Sequence, residues 1–101
     1  MGYLLFKLCL EPSKPVIKHA IEGDLFKVSW PAILRAKSYW LQLKQENRTE
    51  SNPNAWELNK ETSREFAIGT DVNWGETVTV EVVVYTEDEL TNKNDEKIFI
   101  G

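Results

Sequence analysis

The chain has 101 residues, of which 42% are hydrophobic, 28% charged and 11% aromatic, and its formal net charge is −4. This length suffices for one domain and is too short for two, and the composition argues against disorder, collagen and coiled coil. No apolar run approaches the roughly 18 residues of a membrane span, and we find no basic stripe of the kind that nucleic-acid binders display. We therefore expect a globular domain that binds neither nucleic acid nor membrane directly.

The N-terminal segment is short and apolar, and we predict that residues 3–10 form an arm or an extra strand. Its apolar side chains include Tyr3, Leu5, Phe6 and Leu8. It lacks the basic start and the small-residue cleavage site of a signal peptide. Two prolines follow and interrupt any regular element. We accordingly divide the chain into an apolar arm with a proline-bounded linker, residues 1–14, and a main domain, residues 15–101.

Two features bear on the cellular compartment. Cys9 is the only cysteine, so the chain cannot form an internal disulfide. This fits a reducing compartment, although many secreted domains also lack disulfides. Asn47 begins a glycosylation sequon, which matters only in a secreted protein. We favour an intracellular location, nuclear or cytoplasmic, and leave an extracellular one open.

Beyond Pro15 the apolar residues recur with a period of two, which is typical of half-buried strands. Turn signals separate these runs at residues 22–24, 50–54, 73–75 and 91–95. Short strands at this spacing favour an all-β, two-sheet antiparallel sandwich of six or seven strands. The predicted core consists of Phe26, Val28, Trp30, Tyr39, Leu41, Leu43, Phe66, Ile68, Val72, Val78, Val80, Val82 and Ile98.

The pattern resembles a fibronectin type III domain over roughly residues 15–100. Segments 26–31 (FKVSWP) and 36–43 (AKSYWLQL) are similar to its second and third strands, with Trp30 and Tyr39 at the positions of its core tryptophan and tyrosine. The later segment 72–78 keeps an apolar anchor and a glycine, but Val78 replaces the tyrosine that closes the corner between strands E and F. The resemblance implies a seven-stranded sandwich in which strands C, F and G are neighbours, and it says little about function.

A narrower resemblance concerns the self-association fibronectin domain of host cell factor proteins. It rests on the apolar segment before the prolines, residues 27–30 and 36–43, and the later pair Ala55 and Trp56. Such a domain brings two parts of a nuclear transcriptional scaffold together. This resemblance would imply self-association and a role in transcription regulation. The β-propeller that accompanies the domain in that family does not occur in this chain.

We expect no enzymatic activity, no cofactor and no metal site. His19 is the only histidine, and the sequence supplies no partners for a catalytic triad or a histidine-based metal site. Cys9 lies in an apolar run with no nearby histidine, and Lys7 alone does not supply the electropositive surroundings that a nucleophilic thiol needs. Motifs for nucleotide, metal or redox chemistry are absent.

An oxygen-rich cluster lies between the last two predicted strands. Its members are Asp88, Glu89, Asn92, Asn94, Asp95 and Glu96, and Glu87 precedes them. The spacing fits no EF-hand loop, and the glycine that such a loop needs is missing. We expect a solvated acidic hairpin loop, with Glu87, Asp88 and Glu89 as a possible contact for a basic partner, because acidic loops steer encounter.

The same alternation leaves apolar side chains on the outside of the sheet. If the apolar positions on either side of Trp40 point inward, Trp40 points outward from strand C. If Val82 and Val84 point inward, Val83 and Tyr85 point outward from strand F. Phe99, between Ile98 and Ile100, likewise points outward from strand G. We expect these four residues to form a cluster, with Trp56 on the short strand beside it; Trp74 we leave unassigned. Apolar patches of this kind usually mark interaction sites, and Trp and Tyr are enriched at binding hot spots.

Either the arm covers this patch within one chain, or a partner protein or a second copy covers it. An arm that reaches another copy would give a swapped dimer. We predict a non-enzymatic protein-interaction or self-association module within an intracellular scaffold. The alternative is an extracellular or viral structural domain, for adhesion or carbohydrate contact.

Overall fold

The computed structural model describes residues 12–45 and 54–101. Within these ranges seven strands follow one another: β1 (Lys18–Glu22), β2 (Leu25–Ser29), β3 (Ala36–Gln45), β4 (Asn54–Leu58), β5 (Ser63–Ala67), β6 (Thr77–Thr86) and β7 (Thr91–Phe99). The predicted arm with Tyr3, Leu5, Phe6 and Leu8 lies outside the described residues, as do Cys9, Asn47 and most of the turn at 50–54.

The strands form two antiparallel sheets. One has three strands in the order β1-β2-β5, and the other has four in the order β4-β3-β6-β7. This arrangement confirms the predicted all-β, two-sheet sandwich with seven strands. No helix in the described ranges has the length and apolarity for a membrane crossing.

The core lies between the sheets and is filled by the inward positions of each strand. Every residue of the predicted core is buried, and Ile17, Leu58, Val84 and Ile100 join it. Strand β6 shows the reason most clearly, since its side chains alternate between buried and more exposed positions over its whole length, and four of its five buried residues are valines. Strands β3 and β6 are the central strands of the larger sheet and contribute the longest runs of core positions.

Trp30 and Tyr39 fix the contact between the two sheets near one end of the sandwich. Their rings lie 5.6 Å apart in an edge-to-face arrangement, a geometry that aromatic pairs prefer. The Tyr39 hydroxyl accepts a hydrogen bond from the Ile33 backbone N–H at 2.9 Å. This bond ties the loop between β2 and β3 to the core.

The segment 12–17 closes the edge of the sandwich beside β7. Pro12 and Pro15 are buried, and neither has an N–H to donate to a ladder. Their carbonyl oxygens instead accept hydrogen bonds from the side-chain amides of Asn92 (3.1 Å) and Asn94 (2.8 Å). Contacts of the folded part therefore extend at least to Pro12.

The predicted turn at residues 91–95 was wrong, because β7 begins at Thr91. The connection from β6 is a tight turn over residues 87–90. In it the Thr86 N–H donates to the Leu90 carbonyl (2.9 Å), and the Leu90 N–H donates to the Thr86 hydroxyl (3.1 Å). Asn92 and Asn94 lie opposite Val84 and Val82 and face inward, where their side-chain amides donate to the proline carbonyl oxygens.

Trp56 closes the opposite edge of the sandwich. It lies on β4, opposite Leu41, so its side chain faces the interior rather than the outer face. Its ring lies 5.3 Å from that of Phe66, and the Arg64 guanidinium carbon lies 4.8 Å from the Trp56 ring centre. A cation at this distance is attracted to the ring, and the pair covers the gap between β4 and β5.

The corner between β5 and β6 is held without the tyrosine that fibronectin type III domains have at this place. Val78 is buried at that position. The Gln45 side-chain amide donates to the Asp71 carbonyl oxygen at 2.5 Å, and the Asp71 carboxylate accepts the Ala67 N–H at 2.9 Å. Gly75, at φ 84°, donates its N–H to the Ile100 carbonyl. These backbone and side-chain bonds replace the single missing hydroxyl.

Candidate binding surface

The register of the four-stranded sheet places three of the predicted contact residues together. Trp40 on β3 lies directly opposite Val83 on β6, and Tyr85 lies opposite Ser38 one row further on. Residues opposite each other share a face of the sheet, and the diagonal pair Trp40 and Tyr85 is within reach for large side chains. Trp40 is 36% exposed and Tyr85 is 38% exposed.

Phe99 does not belong to this group. It lies opposite Thr77 at the other end of β6, about 20 Å along the strand from Val83. Its ring lies against Gly101, and the side chain is 63% exposed. The expected cluster of four is therefore a cluster of three, because alternation gives the face of a strand but not the position along it.

Two of the three residues, Trp40 and Tyr85, line a shallow groove of about 460 Å³. We call this the aromatic groove, and its lining consists of Lys37, Ser38, Trp40, Glu57, Tyr85, Thr86, Glu89 and Thr91. Val83 lies beside it, opposite Trp40. The groove occupies the end of the outer face nearest the turn between β6 and β7.

Lys37 and Glu57 reach the groove for reasons of local structure. The register between β3 and β6 shifts between Ala36 and Ser38, and such an irregularity redirects the extra side chain. Glu57 lies on β4 directly opposite Trp40. Five residues of the lining were not predicted from the sequence: Lys37, Ser38, Glu57, Thr86 and Thr91. The alternation around Trp56 was the one signal that could have indicated Glu57.

The acidic turn contributes unequally to the groove. Asp88 forms an ion pair with Arg35 of the β2–β3 loop, and Glu87 is exposed. Glu89, in a left-handed conformation at φ 63°, lines the groove. Among the described residues, neither Glu57, Glu87 nor Glu89 forms an ion pair.

The remaining members of the predicted acidic cluster diverge along β7. Asp95 lies opposite Glu81 on the outer face, whereas Glu96 lies opposite Val80 on the inner one. Within ranges 12–45 and 54–101, no group of three or more His, Cys, Asp or Glu side chains converges. His19 lies exposed on β1, with its ring 6.4 Å from that of Phe26, and Trp74 is exposed in the turn before β6.

The outer face of the three-stranded sheet has a different character. A shallow groove on this face is lined by several charged residues, among them Lys27, whose ammonium lies 3.3 Å from Glu22 and 3.6 Å from Glu65. The hydrogen bond and charge of Glu22, with Glu65 adding to them, raise the pKa of Lys27 above its usual value. Here Glu22 and Glu65 both pair with Lys27 within the sheet, whereas the ion pairs of the described residues include neither Glu57 nor Glu89.

Comparison with known proteins was informative for structure only. No family model matches the chain, and no curated protein matches it in sequence. The chain is similar in structure to the FN1–FN3 domains of chicken CNTN1, with a TM-score of 0.59 and 11% identity; the match covers 86% of this chain and 30% of that one. It is also similar to the FN5 domain of Drosophila Lar, with a TM-score of 0.56, 14% identity, and coverage of 89% and 99%.

A third similar structure is the hypothetical protein PH1083 from Pyrococcus horikoshii OT3, with a TM-score of 0.52, 17% identity, and coverage of 86% and 87%. The sheet order and these similarities define the chain as a two-sheet antiparallel sandwich of immunoglobulin-like architecture. Within that class, the protein has the fibronectin type III-like fold. The expected fibronectin type III-like fold is thereby confirmed.

Proposed function

We propose that the protein is a non-enzymatic protein-binding module and that the aromatic groove is its binding surface. Domains of this fold serve many functions, so the proposal depends on the site. Its main support is the pair Trp40 and Tyr85, two rings more than one-third exposed, at a groove that Glu57 and Glu89 also line. Neither carboxylate forms an ion pair with another described residue. Tyr and Trp anchors surrounded by polar residues are typical of binding hot spots.

The first test compares three forms of the full chain: the wild type, the Trp40→Ser/Tyr85→Ser double variant, and Phe99→Ser as a matched control. Phe99 is an exposed aromatic residue on the same face but at the far end. We expect wild type and control to retain a partner from a lysate of the source organism and the double variant to lose it. Each variant's circular dichroism and melting temperature verify the fold.

Chemical cross-linking then locates the contact. Lys37 lines the aromatic groove, whereas Lys18 lines the groove of the opposite sheet. An amine-reactive cross-linker should join the retained partner to Lys37 and not to Lys18. Equal retention by wild type and double variant, or cross-links confined to Lys18, would show that the aromatic groove is not the binding surface.

Self-association is the second form of this function, and sedimentation of the same three proteins tests it. A dimer of wild type and Phe99→Ser that the double variant fails to form would identify a second copy as the partner. The finer role in a nuclear scaffold and in transcription regulation is supported by the sequence resemblance to host cell factor proteins. For this finer role we expect the wild-type protein to retain chromatin proteins from the lysate.

Carbohydrate binding is the alternative that the same geometry allows. Paired Trp and Tyr rings at an open groove can stack on sugars as they stack on peptides. A glycan array probed with the wild type and the double variant separates the two, since only a sugar-binding groove would give signals that depend on Trp40 and Tyr85. Such signals, together with a glycan on Asn47, would favour the extracellular role.

A further inference from the structure

We infer that the aromatic groove takes a cationic segment of a protein partner, with an arginine or lysine side chain placed over Trp40 and Tyr85. This rests on the proposed function and names the chemistry of its partner. The two rings line one groove, and the negative face of an aromatic ring attracts a guanidinium or ammonium group within about 6 Å. Trp is the best partner for such a cation, and Tyr also serves.

The carboxylates of the groove are placed to complete this contact. Glu57 lies beside Trp40 on the neighbouring strand β4, and Glu89 projects from the turn that follows β6. They therefore approach from different elements. A cation above the rings would have a carboxylate from β4 on one side and one from the turn on the other.

The charges of these residues are available to a ligand. No ion pair is found for Glu57 or Glu89 among the described residues, whereas Asp88 is already neutralised by Arg35. The chain itself contains a cation over a tryptophan ring elsewhere, since the Arg64 guanidinium carbon lies 4.8 Å from the centre of the Trp56 ring. A cation of the same chain thus lies over Trp56, whereas none lies over Trp40 in the described part of the chain.

The positive charges near the groove limit the form of the ligand. Lys37 lines it at the irregularity of β3, and Lys93 lies opposite Val83, one strand beyond the rings. A ligand rich in positive charge along its whole length would be repelled at these two points. We therefore expect a segment with one or two cations among apolar or neutral residues rather than a polybasic tract.

Selection from a displayed library of random 12-residue peptides against the full-length protein tests this inference. We expect the retained peptides to be enriched in Arg or Lys at one or two positions. A synthetic peptide of the enriched sequence should bind about fivefold more weakly when its cation is replaced by Gln. Its affinity should also fall with rising salt concentration.

Matched variants assign the effect to the groove. Glu57→Gln with Glu89→Gln keeps the shape and removes the charge, and Trp40→Leu keeps an apolar side chain and removes the ring. Both should weaken binding of the enriched peptide about fivefold. Glu81→Gln and Phe99→Leu are the controls, because both residues lie on the same outer face but outside the groove. The controls should bind as the wild type does.

The outcomes separate this inference from the function on which it rests. Enriched peptides that depend on Trp40 but carry no excess of cations would overturn the inference and leave the binding module standing. Peptides retained equally by the Trp40→Ser/Tyr85→Ser variant, or no enrichment at all, would overturn both. A dimer that dissociates in that variant, or an intramolecular cross-link between Lys7 and Lys37, would show that a second copy or the chain's own arm takes the place of the cationic partner.

Discussion

Tyr39 and Tyr85 illustrate how the same residue type acquires different roles from its position on a strand. Tyr39 faces inward on β3, is 2% exposed and accepts a hydrogen bond from Ile33. Tyr85 faces outward on β6 and lines the aromatic groove. A buried hydroxyl stabilises the fold only through the partner that it satisfies, whereas an exposed hydroxyl has water as an alternative partner.

This difference gives the first prediction. Tyr39→Phe should lower the free energy of unfolding by about 1–2 kcal/mol, because the Ile33 N–H loses its acceptor in a partly buried place. Tyr85→Phe, the matched control, should change it by less than about 0.5 kcal/mol. Urea unfolding followed by tryptophan fluorescence measures both. Equal effects of the two substitutions would contradict the role given to the Tyr39 hydroxyl.

Asn94 is a second residue whose role depends on a distant partner. Its side-chain amide donates to the Pro15 carbonyl, which lies 79 residues earlier in the chain. Asn94→Ala should therefore cost about 1–2 kcal/mol, since the carbonyl is left without a donor at a partly buried site. Lys93→Ala, on the exposed side of the same strand, should cost less than about 0.5 kcal/mol. Thermal and urea unfolding measure both differences. Equal stability of both variants and the wild type would contradict the role given to the Asn94 amide.

At the scale of the strand, alternation predicted the core well and the ends of elements less well. A strand such as β6 has one face buried, so a shift by one residue would expose every valine, and the pattern determines which residues face inward. The interpretation of residues 91–95 as a turn failed because polar side chains at inward positions resemble a loop. The amides of these asparagines donate to the carbonyl oxygens of Pro12 and Pro15. Because these prolines lie about 80 residues earlier in the chain, the local sequence pattern does not indicate them.

The candidate site shows the same division. The sequence predicted that Trp40, Val83 and Tyr85 face outward, because the residues that alternate with them along the same strands are apolar and belong to the core. It did not separate Phe99 from them, since the pairing register depends on the whole hairpin. Nor did it indicate Lys37, which depends on a local irregularity in β3, or the carboxylate of Glu57, which depends on how β4 pairs with β3.

The three-stranded sheet supplies a prediction about pH. Glu22 and Glu65 raise the pKa of Lys27 above 10.5, its value in the absence of these partners. The charged form of Lys27 is thus favoured in the folded state. The stabilisation is fully present below pH 10.5 and is lost as the pH rises through the raised pKa of the folded protein.

The difference in unfolding free energy between the wild type and Lys27→Met should therefore be constant from pH 7 to pH 10 and shift against the wild type above pH 10.5. Urea unfolding at pH 8 and at pH 11 measures it. In 1 M NaCl the pH dependence should shrink, because the charges at this exposed site are screened. A difference that moves in favour of the wild type at high pH would refute the assignment.

For the whole molecule, the two open edges of the sandwich are closed in different ways. On one side Arg64 and Trp56 lie between β4 and β5, and both are partly buried. On the other side the segment 12–17 covers β7, and Ile17 belongs to the core. The sandwich therefore depends on residues before its first strand, and the predicted boundary at residue 14 can be tested against these contacts.

Two truncations decide where the domain begins. Removing residues 1–11 leaves every described contact in place, whereas removing residues 1–14 also removes buried Pro12 and the acceptor of the Asn92 amide. We expect the longer truncation to be less stable than the shorter one by about 1–3 kcal/mol, from lost burial and one lost hydrogen bond. Urea unfolding of the two truncated proteins measures this difference directly.

Asn92→Ala provides the control, because its cost should depend on whether Pro12 is present. In the chain that lacks residues 1–11, the substitution removes the hydrogen bond to Pro12 and should cost about 1 kcal/mol. In the chain that lacks residues 1–14 the bond is already absent, so the same substitution should have little effect, and the two changes should be non-additive. Equal stability of the two truncated chains, with additive effects of Asn92→Ala, would place the start of the domain at residue 15, and residues 12–14 would then belong to the linker.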